Sequence, residues 1–133
     1  MKNHSILVVD DEKPILEVIK TYLEKEGYTV LTAENGKDAM RLFGQHEVSL
    51  ILLDLMLPDF SGEEIYLSIR SQSDVPIIMV TAKIEEEHII KWLSLGATDY
   101  ITKPFRPPQL VARVAAILRR YDVSEKLIIN ENM

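Results

Sequence analysis

The chain has 133 residues, 47% of them hydrophobic, which suits one domain with a sizeable core and argues against disorder. Its net charge of −6 argues against nucleic-acid binding by this segment, and the lack of cysteine excludes disulfides and thiolate metal sites and suits a reducing cytoplasm. No apolar run reaches the roughly 18 residues of a membrane span, and Met1 to Ser5 leads into too few apolar residues for a secretion signal.

In chain order, Ile6-Leu7-Val8-Val9 is a short apolar strand that ends in Asp10-Asp11-Glu12. Pro14 suits a first helical turn, and Ile15, Val18, Ile19, Tyr22 and Leu23 recur at helical spacing as one buried stripe, with Gly27 as the stop. Tyr28 to Ala33 reads as a second strand, and Asn35-Gly36 as the turn into a second helix through Ala39, Met40 and Phe43. Leu50 to Leu53 is an apolar run closed by Asp54, the pattern of a strand buried on both faces. Pro58 and Gly62 punctuate the loop before a helix over Gly62 to Ser71. Ile77 to Val80, ending at Thr81-Ala82, is the fourth strand, and Ile84 to Leu95, closed by Gly96, is the fourth helix. Thr98 to Thr102 is the fifth strand and ends at Lys103-Pro104. A last helix starts at Pro107 or Pro108, with Leu110, Val111, Val114, Ile117, Leu118 and Tyr121 on its buried side.

Strands that alternate with helices predict an α/β fold of right-handed βαβ units, a doubly wound parallel sheet. The flavodoxin-like (βα)5 arrangement with strand order 2-1-3-4-5 has its switch point between the first and third strands. Asp10-Asp11 and Asp54 would flank that point from adjacent strand ends.

Asp10, Asp11, Asp54, Thr81 and Lys103 thus form one constellation at the carboxyl edge of the sheet. Any one of them alone has a structural explanation; the five at successive strand ends do not share one. Three crowded carboxylates repel one another and call for a cation, and hard oxygen ligands with room for water suit Mg²⁺, or Mn²⁺ in its place. Lys103 can neutralise charge from the other side, and the Thr81 hydroxyl can bond an oxygen. Around Asp54 these groups make a pocket for a phosphoryl group, whose transfer needs mainly positioning and charge stabilisation. Asp54 would be the nucleophile and end as an acyl phosphate.

Val-Val-Asp-Asp-Glu (8–12), Leu-Asp-Leu-Met-Leu-Pro-Asp-Phe-Ser-Gly (53–62), Val-Thr-Ala-Lys (80–83) and Gly-Ala-Thr-Asp-Tyr-Ile-Thr-Lys-Pro-Phe (96–105) resemble the signatures of a two-component response regulator receiver domain. The similarity spans roughly Ser5 to Tyr121. It implies that Asp54 accepts a phosphoryl group from a sensor histidine kinase. It also implies that Asp11, Asp54 and the backbone carbonyl of Met56 bind Mg²⁺ directly, with Asp10 reaching it through water. Thr81 and Lys103 would contact the phosphoryl oxygens, and a cis Lys103-Pro104 bond would aim the lysine inward. Tyr100 matches the family's aromatic switch and reads equally well as a core tyrosine. Such a domain catalyses its own phosphorylation and dephosphorylation and is not an enzyme in the usual sense. The family tunes hydrolysis from the positions of Met56 and Lys83, and apolar Met56 implies a long-lived acyl phosphate.

Rival readings fail on particular residues. A flavodoxin-like FMN site needs a Ser/Thr/Gly-rich phosphate loop where Asp10-Asp11-Glu12 stands. A haloacid-dehalogenase-like phosphatase needs a second aspartate where Met56 stands. A receiver-like interaction module that is never phosphorylated remains an alternative, opposed by the intact acidic residues and Lys103.

Residues 1–121 are read as the receiver domain and 122–133 as a linker followed by the opening strand of a truncated second domain. Lys103-Pro104-Phe105 and the Leu-Val-Ala-Arg-Val helix (110–114) resemble regulators with a winged-helix DNA-binding output. In that class, phosphorylated receivers form homodimers through the fourth helix, fifth strand and last helix. Arg113 and Arg120 lie on one stripe there, and Asp99 is the natural partner of Arg113 across the interface. Gln109 and Thr98 replace acidic residues of the pattern, so the dimer should be weak. His4, His46 and His88 read as solvated, Glu85-Glu86-Glu87 as an acidic first helical turn, Trp92 as packed or half exposed, and Phe105 as packed beneath the lysine loop.

Overall fold

The computed structural model describes residues 3–82 and 86–131. Five strands, β1 (Ser5–Val9), β2 (Thr29–Ala33), β3 (Leu50–Leu53), β4 (Ile77–Thr81) and β5 (Asp99–Thr102), form one parallel sheet in the order β2-β1-β3-β4-β5. Between and after them run α1 (Lys13–Lys25), α2 (Gly36–Gln45), α3 (Gly62–Arg70), α4 (Glu86–Ser94) and α5 (Pro107–Glu131). This is the flavodoxin-like architecture that the alternation predicts.

The period of two along each strand divides the core. Ile6, Val8, Leu50, Leu52, Ile78, Val80 and Ile101 face α1 and α5, where Leu16, Ile19, Leu23, Leu110, Val114 and Ile117 meet them. Leu7, Val9, Ile51, Leu53, Ile77, Met79 and Tyr100 face the other way, onto Ala39, Ile65, Tyr66, Ile69 and Trp92 of α2, α3 and α4. A strand covered on both sides must be apolar at every position, and for that reason β1 and β3 read as unbroken aliphatic runs. Trp92 is 2% exposed and meets Tyr66 edge-on, with ring centroids 5.2 Å apart.

Several sequence expectations change. In α1 the buried set is Leu16, Ile19 and Leu23, while Val18 and Tyr22 are 42% and 38% exposed. The apolar stripe is wider than the face the sheet covers, and those two side chains lie beyond its edge. Tyr121 likewise stands 39% exposed on α5, not on its buried side. The linker and strand expected after Tyr121 are instead a continuation of α5 to Glu131. No glycine or proline follows Pro108 to stop that helix, and a short apolar run such as Leu127-Ile128-Ile129 suits helix as well as strand. His4 is half-buried, with Nε2 3.1 Å from Asp122 Oδ2, so the amino end of β1 is tied to α5. Lys83, Ile84 and Glu85 lie outside the described residues, as do Asn132 and Met133.

Gly62 opens α3 against the chain leaving β3. A Cβ there would stand 2.5 Å from Leu55 Cα and 2.8 Å from the Asp54 carbonyl oxygen, whereas one on exposed Gly44 of α2 would meet nothing within 4 Å. Gly62→Ala should therefore destabilise the domain by about 1–3 kcal/mol through backbone displacement. Gly44→Ala should stabilise it by about 0.5–1 kcal/mol through the helix preference for alanine. Urea unfolding of both variants checks the opposite signs.

Candidate functional site

Parallel pairing sets the carboxyl ends of the central strands side by side. Val9 pairs with Leu53 across β1 and β3, and the Asp54 N–H donates to the Val9 carbonyl at 3.0 Å. Asp10, the next residue after β1, donates its own N–H to Ala33 of β2 at 3.0 Å. The two carboxylates are thereby fixed by backbone bonds before their side chains make any contact. Each is buried, at 2% exposure for Asp10 and 3% for Asp54. Asp11 beside them is exposed, and Asp10, Asp11 and Asp54 can each offer one carboxylate oxygen within 4.8 Å of the others.

The opposite charge comes from β5. Thr81 and Thr102 are paired at the ends of β4 and β5, and the Lys103 N–H donates to the Thr81 carbonyl at 2.9 Å. The Lys103-Pro104 bond is cis, as the resemblance implies. The Lys103 ammonium reaches Asp10 Oδ2 at 2.8 Å, Asp54 Oδ2 at 3.0 Å and Glu12 Oε2 at 3.2 Å. Asp54 Oδ1 accepts from the Met56 N–H at 3.1 Å, and Asp10 Oδ1 accepts from the Glu12 N–H at 2.9 Å. The Thr81 side chain is fully buried at the same edge.

These contacts set the charge states. Burial works against the Lys103 ammonium, but hydrogen bonds and charge from Asp10 and Asp54 outweigh it, and the lysine pKa is raised. The Asp10 pKa is raised chiefly by burial, with the Asp54 charge adding to it and the bonds from Lys103 and the Glu12 N–H working against it. Hard oxygen donors, two buried and one open to solvent, fit a divalent cation of the Mg²⁺ type.

All five residues of the sequence constellation meet here. Tyr100 is 8% exposed in the core beside α4, and burial raises its pKa. Asp99 and Arg113 do pair, but within one chain: Arg113 Nη1 donates to both Asp99 oxygens and to the Tyr100 carbonyl, each at 3.2 Å. Arg120 is exposed on α5. Phe105 is partly buried against the α1–α5 side of the core. Two carboxylates escaped the sequence reading. Glu12, the third partner of Lys103, was signalled only by its place after the acidic pair. Asp59, in the loop between β3 and α3, accepts from the N–H groups of Gly36 and Lys37 at 2.8 and 3.0 Å, 23 and 22 residues away. Such separations leave no local pattern.

The sequence family described as response regulator receiver domain matches residues 6–115. The chain is similar to a receiver domain protein (CheY-like) from Methanospirillum hungatei JF-1, with 31% identity and a TM-score of 0.85, covering 92% of this chain and 99% of that one. It is similar to DrrB, an OmpR/PhoB homologue from Thermotoga maritima, at 36% identity and a TM-score of 0.83, over 90% of this chain and 54% of that one. The BeF3-activated N-terminal receiver domain of Klebsiella pneumoniae RstA matches at 32% identity and a TM-score of 0.82, over 87% and 99%.

A raised pKa means that folded Asp10 holds its proton more tightly than the unfolded chain does. Its cost to stability is therefore absent below the ordinary value of 3.8, grows as pH rises through the raised value, and is complete at neutral pH. Asp10→Asn, which keeps an acceptor for Lys103, should stabilise the protein at pH 7 in chelator. The gain should shrink as pH falls through the raised value and be gone below 3.8. Thermal unfolding across pH checks both parts.

Proposed function

This chain belongs to the response regulator receiver domain family, and we propose that it works as a phosphorylation switch, taking a phosphoryl group onto Asp54 from a phosphohistidine of a sensor histidine kinase. The observation that carries the reading is the Asp54 carboxylate, buried at the end of a central strand, 3.0 Å from the Lys103 ammonium and beside Asp10 and Asp11.

An Asp54 oxygen forms the new bond to phosphorus while the phosphorus–nitrogen bond of the phosphohistidine breaks. The imidazole leaves with that electron pair, and Asp54 becomes an acyl phosphate. Lys103 faces Asp54 Oδ2 and is placed to follow the charge onto the phosphoryl oxygens, and buried Thr81 supplies a hydroxyl. Asp11, Asp54 and the Met56 carbonyl would hold Mg²⁺ or Mn²⁺, with Asp10 acting through water, and the cation would supply further neutralisation of those oxygens. The Met56 side chain is apolar and 60% exposed, with no group to orient an attacking water. This favours a long-lived phosphoryl group over the turnover of an enzyme. The cytoplasm, where sensor kinases present their phosphohistidine, is the compartment this reading requires; among the described residues no helix is long and apolar enough to cross a membrane.

Output is a two-fold pairing through α4, β5 and α5, with Tyr100 and Thr81 as the switch. Ile90 and Leu93 stand 56% and 45% exposed on α4 and supply apolar area for it. Arg113 already holds Asp99 in its own chain, so pairing across the two-fold axis exchanges one exposed ion pair for another, each worth about 0–1 kcal/mol. Thr98, in the place of an interface acid, instead accepts the Ile77 N–H at 3.1 Å. The dimer is therefore weak and depends on phosphorylation. A winged-helix DNA-binding domain outside this segment completes the reading, supported by the likeness to the OmpR/PhoB homologue, of which this chain covers 54%.

Acetyl phosphate with Mg²⁺ should add one phosphoryl group by intact mass. Asp54→Ala, or wild type in excess chelator, should add none; full addition in either rejects the assignment. In sedimentation, beryllofluoride should shift wild type toward dimer at high concentration and leave Arg113→Glu monomeric. A wild type that stays monomeric, or an Arg113→Glu variant that dimerises equally well, removes the α4–β5–α5 interface.

A further inference from the structure

An α-helix leaves its first N–H groups without partners inside the helix. At the start of α2 the local cap accounts for only part of this: Asn35 Oδ1 accepts from Asp38 N at 2.8 Å, and its carbonyl accepts from Ala39 N at 3.1 Å. The remaining two donors go to one distant carboxylate. Asp59 Oδ1 takes the Gly36 N–H at 2.8 Å and Oδ2 takes the Lys37 N–H at 3.0 Å, while Oδ1 also accepts from Phe60 N at 2.8 Å. Lost hydration raises the Asp59 pKa, and these N–H groups together lower it by more, so the side chain stays ionised in its cradle.

What Asp59 joins is more telling than the cap itself. It belongs to the loop that leaves Asp54 and carries Met56. Its partners follow β2, whose last residue, Ala33, accepts the Asp10 N–H at 3.0 Å. In the sheet order, β2 and β3 are the two neighbours of β1, the strand that presents Asp10 and Asp11. The tie therefore links the segments on either side of the acidic pair. Contact is close along the seam: a Cβ on Gly36 would stand 2.7 Å from Ile65 Cδ1, 3.0 Å from Phe60 Cδ2 and 3.2 Å from Asp59 Oδ1. At the other end of the same loop, Gly62 N donates to the Leu55 carbonyl at 3.0 Å.

We propose that Asp59 is a positioning residue for the cation and phosphoryl site: by clamping the 54–61 loop to the start of α2, it holds the Met56 carbonyl in register with the Asp10, Asp11 and Asp54 carboxylates. The proposal rests on the phosphoacceptor reading of Asp54. Without the clamp, the loop keeps its peptide bonds to Asp54 and Gly62 but loses its only charged attachment to α2 among the described residues, and one ligand of the cation is no longer pre-placed.

The test is calorimetric titration of Mn²⁺ into the wild-type chain, Asp59→Ala, Asp59→Asn and Asn35→Ala, each also measured for thermal stability and for phosphoryl uptake from acetyl phosphate by intact mass. Asn35→Ala damages the same helix end without touching the loop, so it controls for stability alone. Asp59→Ala should weaken Mn²⁺ binding about tenfold, the scale of lost outer-shell support. Asn35→Ala should stay within about twofold of wild type although both variants lower the melting temperature. Asp59→Asn keeps one acceptor for Gly36 and should recover much of the affinity, and it keeps the test valid if the alanine variant does not fold. Wild-type affinity in Asp59→Ala, or an equal loss in Asn35→Ala, overturns the proposal. If wild type binds Mn²⁺ but takes up no phosphoryl group, the phosphoacceptor reading falls, and the affinity comparison still judges the clamp.

Discussion

Crowded negative charge at one sheet edge is the constraint on which the rest of the structure turns. Two buried carboxylates on adjacent strands repel each other, and burial makes each costlier to ionise. Lys103 answers both, placed by a backbone bond to Thr81 and touching Asp10, Asp54 and Glu12 together. A phosphoryl group carries its own negative charge into this place. It can be accepted only if positive charge is already there, and a partly buried lysine that stays ionised meets that need.

The core makes the constraint tolerable. Asp10 and Asp54 could not be held in place on loops; they follow strands with aliphatic side chains on both faces, and their own N–H groups extend the ladder by one bond past the last paired residues. The sheet thus ends in charge where its apolar cover ends. Beyond that line, position has to come from polar ties, and Asp59 at α2 and Glu12 at Lys103 are those ties. The opposite face of the domain shows the same division of labour. Arg70 donates to the carbonyls of Ser73, Val75 and Gly96, and buried Tyr66 gives its hydroxyl to the Leu95 carbonyl, so the turns there are tied by polar side chains too.

This division explains what was legible in the sequence. Unbroken apolar runs closed by Asp10, Asp54 and Thr81 announced buried strands and the edge where they stop, so sheet order and the gathering of polar groups at that edge could both be read. Features set by one side chain reaching a partner distant in sequence could not. Asp59 looks like any turn aspartate until α2 is folded against its loop, and His4 looks solvated until α5 passes the amino end of β1. The α1 stripe misled for a related reason: spacing shows which residues are apolar on a helix, not how much of that arc the sheet covers, and Val18 and Tyr22 fell outside it. The run after Tyr121 carried no stop signal, and its apolar triplet reads equally as strand or helix until the preceding turns of α5 decide.

One strand finally joins the site to the surface proposed for output. β5 presents Asp99 at its start, where Arg113 of α5 grips it, and ends at Thr102 with Lys103 following. Between them Tyr100 pairs with Met79, and its carbonyl also accepts from Arg113. A strand rises about 3.3 Å per residue, so roughly 13 Å separates Lys103 from the Asp99–Arg113 pair. Proximity of that kind is no evidence of coupling by itself; coupling needs an element with two arrangements that both ends can bias. In the dimer proposed above, Arg113 would be such an element, because its exposed bond to Asp99 would be exchanged for an equal bond in a second copy at little cost. A change in how Lys103 and Thr81 are held would then need only to shift a balance that the ion pairs themselves leave nearly level.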